Sequence, residues 1–283
     1  MFRLIWILVS ALALSACVSS QNVKWSRVQG PTINLSQIYG GYSAGCLDGG
    51  ISLAASSDKY QVMRVARKRY YGHPQLIQFL ENYAEHVFAS ELGVLAIGDL
   101  SQARGGPMPH GHASHQVGLD ADIWFKRFSV EEQKHLDLND LENMPAVSML
   151  SDNGQDINMG EWNEGNAVAL KIAAMNNEVE RIFVNYVIKK ELCKTHKGEK
   201  WLSKIRPWWG HEYHYHIRLS CPANNPDCVP QSEIDSTDGC DDTLDWWFSE
   251  DAKNELNRRI SSKTKEKILP IQCKNVFHND GHP

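Results

Sequence analysis

Six cysteines set the tightest limit on how this 283-residue chain can fold, because its amino terminus reads as an export signal. Arg3 gives a minimal basic start, and Leu4 to Leu14 form an apolar run. The run is shorter than the roughly 20 residues a membrane-spanning helix needs. It suits the apolar core of a cleavable signal peptide. Beyond Cys17 stand Cys46, Cys193, Cys221, Cys228, Cys240 and Cys273. In an exported chain an even set of cysteines forms a disulfide framework, and six of them allow about fifteen pairings. A metal cluster is the competing reading, but none of the six lies in a Cys-x-x-Cys pair. Cys221 and Cys228 are near enough in sequence to close a short loop.

Cys17 belongs to the export signal. Leu14-Ser15-Ala16-Cys17 resembles the bacterial lipobox, in which the cysteine becomes the lipidated first residue of the mature chain. The expected organisation is a signal peptide over residues 1–16 and a lipidated amino terminus over 17–45. That second stretch, rich in Ser, Gly, Asn and Gln, reads as a tether and lead-in loop. A globular domain follows over 46–273, then a polar tail over 274–283. Val18 stands where an Asp would retain a lipoprotein in the inner membrane. The expected location is therefore the periplasm, anchored to the outer membrane through Cys17. The 34 acidic side chains outnumber 29 basic ones. That balance argues against a nucleic acid partner, which rewards an excess of Lys and Arg.

Periodicity gives an α+β domain without internal repeats. Pro74 opens a stretch with Leu76, Leu80, Ala84, Val87 and Phe88 at helical spacing. Val94 to Ile97 reads as a short strand, and the Gly- and Pro-rich segment from Leu100 to His115 as a loop. Leu119 to Phe125 alternates Asp120 and Asp122 with apolar residues, the period of a strand. Ser129 and Glu132 form a capping box. Helices are expected over 166–179, carrying Val168, Ile172 and Met175, and over 186–192. Strands are expected over 181–184 and 213–219, and a helix carrying Trp246, Trp247 and Phe248 begins after Asp242.

Histidines cluster around two of these elements. His110, His112 and His115 lie in the loop, and His211, His214 and His216 lie at the strand over 213–219. Hydrolytic zinc sites use three protein ligands drawn from His and Asp or Glu, with one position left for water. A Gly-rich loop can aim His115 inward, and Asp122 projects from the following strand beside Asp120. On a strand His214 and His216 share a face, so one can bind metal while the other serves as general base. His211, at the start of that strand, is placed to support them.

The stretch from Arg104 through His112 and His115 to Asp122 resembles the penicillin-insensitive murein endopeptidases, and Arg206-Pro-Trp-Trp-Gly-His211-Glu-Tyr-His214-Tyr-His216 matches their second signature. These belong with the wider group of lysostaphin-like and D-Ala-D-Ala metallopeptidases. The likeness runs from about Gly40 to Cys273. It implies a small antiparallel sheet carrying a Zn(2+) site, flanked by helices and disulfide-linked loops. It implies zinc on His115, Asp122 and His216, with His112 as an additional ligand and His214, assisted by His211, as the catalytic group. It also implies the disulfides Cys46–Cys273, Cys193–Cys240 and Cys221–Cys228. The substrate implied is the D-alanyl-meso-diaminopimelyl cross-link of peptidoglycan. Arg104 is placed either to bind a substrate carboxylate or to brace its own loop. Residues 137–163 contain no histidine, which disfavours a second metal site drawing on histidines there. The alternatives are a D-Ala-D-Ala dipeptidase or carboxypeptidase, and a periplasmic zinc-binding lipoprotein without catalysis.

Overall fold

The computed structural model describes residues 20–261 and 267–279. The expected signal peptide over residues 1–16 and Cys17 lie outside the described residues. Among those described, no helix is long and apolar enough to cross a membrane.

Among the described residues, the first half of the chain supplies four α-helices and seven strands. Helix α1 (Ser20–Ser26) leads into the hairpin of β1 (Gln37–Gly41) and β2 (Ala44–Asp48). Strands β3 (Ile51–Ser52), β4 (Tyr60–Val62) and β5 (Tyr71–Gly72) precede α2 (Pro74–Ala89). Then come β6 (Leu95–Ile97), β7 (Asp120–Trp124), α3 (Val130–His135) and α4 (Leu138–Asn143). The second half contains α5 (Glu164–Met175), β8 (Val179–Asn185), α6 (Tyr186–His196), β9 (Ile205–Trp208) and β10 (His214–Leu219). It ends with α7 (Asp242–Asp245), a 3-10 turn over Trp246–Phe248, α8 (Glu250–Ser261) and α9 (Gln272–His278).

A six-stranded sheet in the order β4-β6-β7-β10-β8-β9 organises the fold. Its centre, β6 through β8, is antiparallel, as expected. The outer pairs, β4 with β6 and β8 with β9, are parallel. Helix α2 starts with Pro74 in its first turn, and the His73 imidazole caps it by accepting the Gln75 N–H. Its Leu76, Phe79, Leu80, Tyr83, Ala84 and Val87 are buried in the main core. Each large apolar side chain so buried contributes about 1.5–3 kcal/mol. Phe88 falls off that face and packs in a smaller cluster with Trp124 and Phe128. Helix α5 packs Ile172 against the core from its edge. Ala167, Leu170, Ala173 and Ala174 are buried, whereas Met175 is exposed.

Two expectations about the chain ends are corrected. Residues 20–45 are not a loose tether. They include α1, β1 and the start of β2, and Trp25 is buried beside Cys46, Cys273 and Val276. Thr32 and Asn34 both donate to the Asp48 carboxylate. The carboxy-terminal tail is likewise helical through His278, with Val276 buried and Phe277 against Trp25 at 5.0 Å. Gly106 has a φ of 74°, and a Cβ there would lie 2.3 Å from the Trp25 ring, so only glycine admits that packing. Disulfides join Cys46 to Cys273, Cys193 to Cys240 and Cys221 to Cys228.

Candidate metal centre

Antiparallel pairing of β7 with β10 builds the site. His216 lies directly opposite Asp122, Arg218 opposite Asp120 and His214 opposite Trp124. Because side chains alternate along each strand, these acidic and imidazole groups share one face while Tyr215 and Ile217 enter the core. The preceding loop adds His112 and His115. His115 has a φ of 65°, a left-handed backbone that turns its ring toward the sheet. Its N–H donates to Asp120 Oδ2 at 2.9 Å, which holds that turn in place.

Asp122 is the hub. Its carboxylate lies 3.4 Å from His115 Nε2, 3.4 Å from His216 Nδ1, 3.6 Å from His112 Nδ1 and 3.6 Å from His214 Nε2. Donor atoms of His112, His115 and Asp122 all fall within 4.8 Å of one another. His115 Nε2 and Asp122 Oδ1 are buried and make no hydrogen bond among the described residues. Buried polar atoms are normally paired, so two orphans aimed at one point fit a cation.

The far side of three rings is occupied by acceptors. His115 Nδ1 donates to the Leu100 carbonyl at 2.9 Å, and His112 Nε2 lies 2.9 Å from Asp99 Oδ2. His216 Nε2 lies 3.1 Å from Asp120 Oδ1, although not in hydrogen-bond alignment. Each contact favours the tautomer whose lone pair faces Asp122, the arrangement that orients histidine ligands. The acceptors are themselves held. Arg218 forks onto Asp120 at 2.7 and 3.0 Å, and Arg67 and Arg69 reach Asp99 at 3.1 and 2.9 Å.

Burial and neighbouring charges pull the groups of the site in opposite directions, and the Asp122, Asp120 and Asp99 carboxylates raise His115 despite its burial. Burial works to raise the Asp122 carboxyl, but His214, His115 and His112 outweigh it and hold the group well below its ordinary value. Burial pushes His216 down to about 4 despite Asp120, and pushes His211 down to about 3 with His214 and His216 adding to the effect. Both are therefore neutral near pH 7, the form in which imidazole ligates metal or accepts a proton.

His112, Asp122 and His214 open onto a cavity of about 340 Å³, whose wall includes Arg64, Arg67, Trp124 and Tyr213. A larger hollow of about 720 Å³ beside Trp25 and Ile268 brings together no such cluster of imidazoles and carboxylates, so the chemistry selects the smaller one. A family profile described as penicillin-insensitive murein endopeptidase matches residues 38–278. The chain belongs to the penicillin-insensitive murein endopeptidase family. Proteins of that name from Haemophilus influenzae, Yersinia enterocolitica and Pectobacterium atrosepticum are 36%, 35% and 37% identical to it. The matches cover 93%, 97% and 94% of this chain and 91%, 97% and 94% of the relatives.

Within this family member, Arg104 takes the bracing alternative and not the substrate-binding one. Arg104 does not line the cavity. It is buried, and its guanidinium donates to the carbonyls of Gly30, Val276 and Phe277, bracing both chain ends. Arg64 and Arg67 are the guanidinium groups that line the cavity. His211 sits behind His214 with ring centroids 5.0 Å apart, and its Nδ1 donates to the Trp209 carbonyl. Sequence reasoning missed Asp99, Arg69 and Arg218. A carboxylate just after the strand that precedes the loop, in Gly98-Asp99, was the available signal.

Proposed function

We propose that the chain is a zinc-dependent murein endopeptidase that hydrolyses D-alanyl-meso-diaminopimelyl cross-links in peptidoglycan. One observation supports this above others: Asp122 ringed by His112, His115 and His216, with unpaired donor atoms converging and His214 at the cavity edge. His115, Asp122 and His216 would hold the ion, with His112 as the additional ligand. The chemistry a bound zinc ion supplies is Lewis acidity toward water and toward a peptide carbonyl.

The protein's own residues carry the rest. His214, about a quarter exposed, faces the cavity and accepts the proton of the attacking water. It then gives that proton to the leaving amine. His211, neutral behind it, spares His214 a second positive neighbour while it carries the proton. Arg64 and Arg67 offer cationic groups to the carboxylates of the peptide stems. Arg67 is also bonded to Asp99, which leaves Arg64 as the more adaptable of the two.

Digestion of purified sacculi, followed by muropeptide analysis, tests the reading. Cross-linked dimers should convert to monomers, and a chelator should stop the conversion until zinc is restored. Loss of terminal D-alanine from monomers with dimers left intact would instead make the enzyme a carboxypeptidase. The working compartment is the periplasm, with Cys17 lipidated and seated in the outer membrane. Cys17→Ser should release the protein to the soluble fraction, and a variant that stayed with membranes would refute the anchor.

A further inference from the structure

A tryptophan ledge lies next to the metal centre and takes no part in the chemistry above. Trp208 ends β9, Trp209 follows it, and Trp246 and Trp247 form the 3-10 turn before α8. Trp209 contacts Trp247 at 4.7 Å, and Trp246 contacts Trp247 at 5.3 Å between ring centroids. Tryptophan is usually well covered in folded proteins, yet Trp208 and Trp246 remain 38% and 39% exposed. Between the rings and α8 opens a groove of about 410 Å³.

The rim of that groove is polar. Asp251, Asn254, Glu255, Arg258 and Arg259 line it from one face of α8, at i, i+3, i+4, i+7 and i+8. Glu255 accepts from Arg259 at 2.7 Å, and the Arg259 guanidinium lies 5.0 Å from the Trp209 ring centre. An apolar platform edged by amide, carboxylate and guanidinium groups is the complement of a pyranose ring. Such a ring presents a C–H face to aromatic carbons and equatorial hydroxyl or acetamido groups to a polar edge.

The ledge is continuous with the site. The Trp209 carbonyl accepts from His211, and Trp208 meets Phe183, whose ring stands 5.3 Å from His216. A substrate whose peptide occupied the metal cavity would carry its sugar backbone nearby. We infer that the ledge formed by Trp208, Trp209, Trp246 and Trp247 is a glycan subsite that binds N-acetylhexosamine units of the strand bearing the peptide. This rests on the murein reading above, since the sugar and the peptide belong to one polymer.

Direct binding separates the two readings. A β-1,4-linked N-acetylglucosamine oligomer titrated into the full mature protein should shift tryptophan fluorescence saturably. His214→Ala, inactive as a peptidase, should show the same shift, so loss of catalysis does not obscure binding. Trp246→Ala should weaken the oligomer by about tenfold or more, and Trp246→Phe, which keeps a ring, by clearly less. With peptide dimers as substrates, the ratio of kcat/KM for disaccharide-bearing over glycan-free dimers should fall by a similar factor in Trp246→Ala. Circular dichroism would verify that this exposed substitution leaves the fold intact. No saturable shift in the unaltered protein, or equal oligomer affinity in Trp246→Ala, would overturn the subsite. So would a glycan-free dimer that competes for the same signal, since the ledge would then bind peptide.

Discussion

Replacing Lys189 with methionine isolates the cost of a buried amine that positions the tryptophan ledge. Lys189 extends from α6 with no exposed surface and donates to the carbonyls of Leu202 and Asp238. It thereby ties α6 to the segment that passes through Cys240 and α7 to Trp246. Burial foremost, then Arg206, push its amine from 10.5 down to about 7, against Asp238 and Asp241. A folded pKa below the unfolded value means the unfolded chain binds the proton more tightly. The resulting penalty is full below pH 7 and is relieved as pH rises toward 10.5. The linkage relation then gives wild type a gain of roughly 3 kcal/mol between pH 6 and pH 9. At about 2.1 cal/mol/K per residue for a chain of this length, that is roughly 4–5 °C in melting temperature. Lys189→Met lacks the titration, and its two deprived carbonyls cost about the same at every pH, roughly 1–3 kcal/mol each. Denaturant melts of both proteins across pH 6 to 9 should therefore diverge, with wild type rising relative to the variant. Parallel profiles would refute the buried, proton-shedding amine.

Five further substitutions examine the candidate metal centre. His214→Ala should retain its metal and lose about 10²–10⁴-fold in turnover, the usual range for a general base. His115→Ala, Asp122→Ala and His216→Ala should lose the metal itself. Metal analysis by mass spectrometry distinguishes them, and loss of metal from His214→Ala would make that residue a ligand. Asp99→Asn removes the carboxylate behind His112 while preserving its shape, and metal affinity measured by chelator competition should drop about 10–100-fold. Unaltered affinity would mean that Asp99 serves only Arg67 and Arg69.

The legibility of the sequence followed the range of the interactions. Strands β7 and β10 were readable because alternation is local, and their pairing brings His216 opposite Asp122. The Ser129 capping box was readable for the same reason. The folded amino-terminal segment was hidden by its polar composition, since Trp25 is covered by residues from the far end of the chain, through Cys273 and Val276. Arg104 was ambiguous because its acceptors at Val276 and Phe277 lie 172 and 173 residues away. Asp99 offered only its place just after β6, and Arg218 only its phase with His214 and His216 on β10. Their importance arises from the atoms that face them once β6, β7 and β10 are aligned. Strand β9 contains Pro207 and is only four residues long, so its parallel pairing on the sheet edge left little trace.

Strand β10 joins chemistry and stability in a single alternating code. His214, His216 and Arg218 point to the metal face, while Tyr215, Ile217 and Leu219 are wholly buried among β8, α2 and their neighbours. A register slip of one residue would exchange those two sets, placing imidazoles in the core and aliphatic groups in the cavity. Evolution along this segment is therefore confined in two different ways at neighbouring codons. Tolerance at even positions is set by the fit of these side chains around Asp120 and Asp122, and at odd positions by volume. A lineage that abandoned catalysis would relax only the first constraint, and would record its loss of function as drift at every second residue.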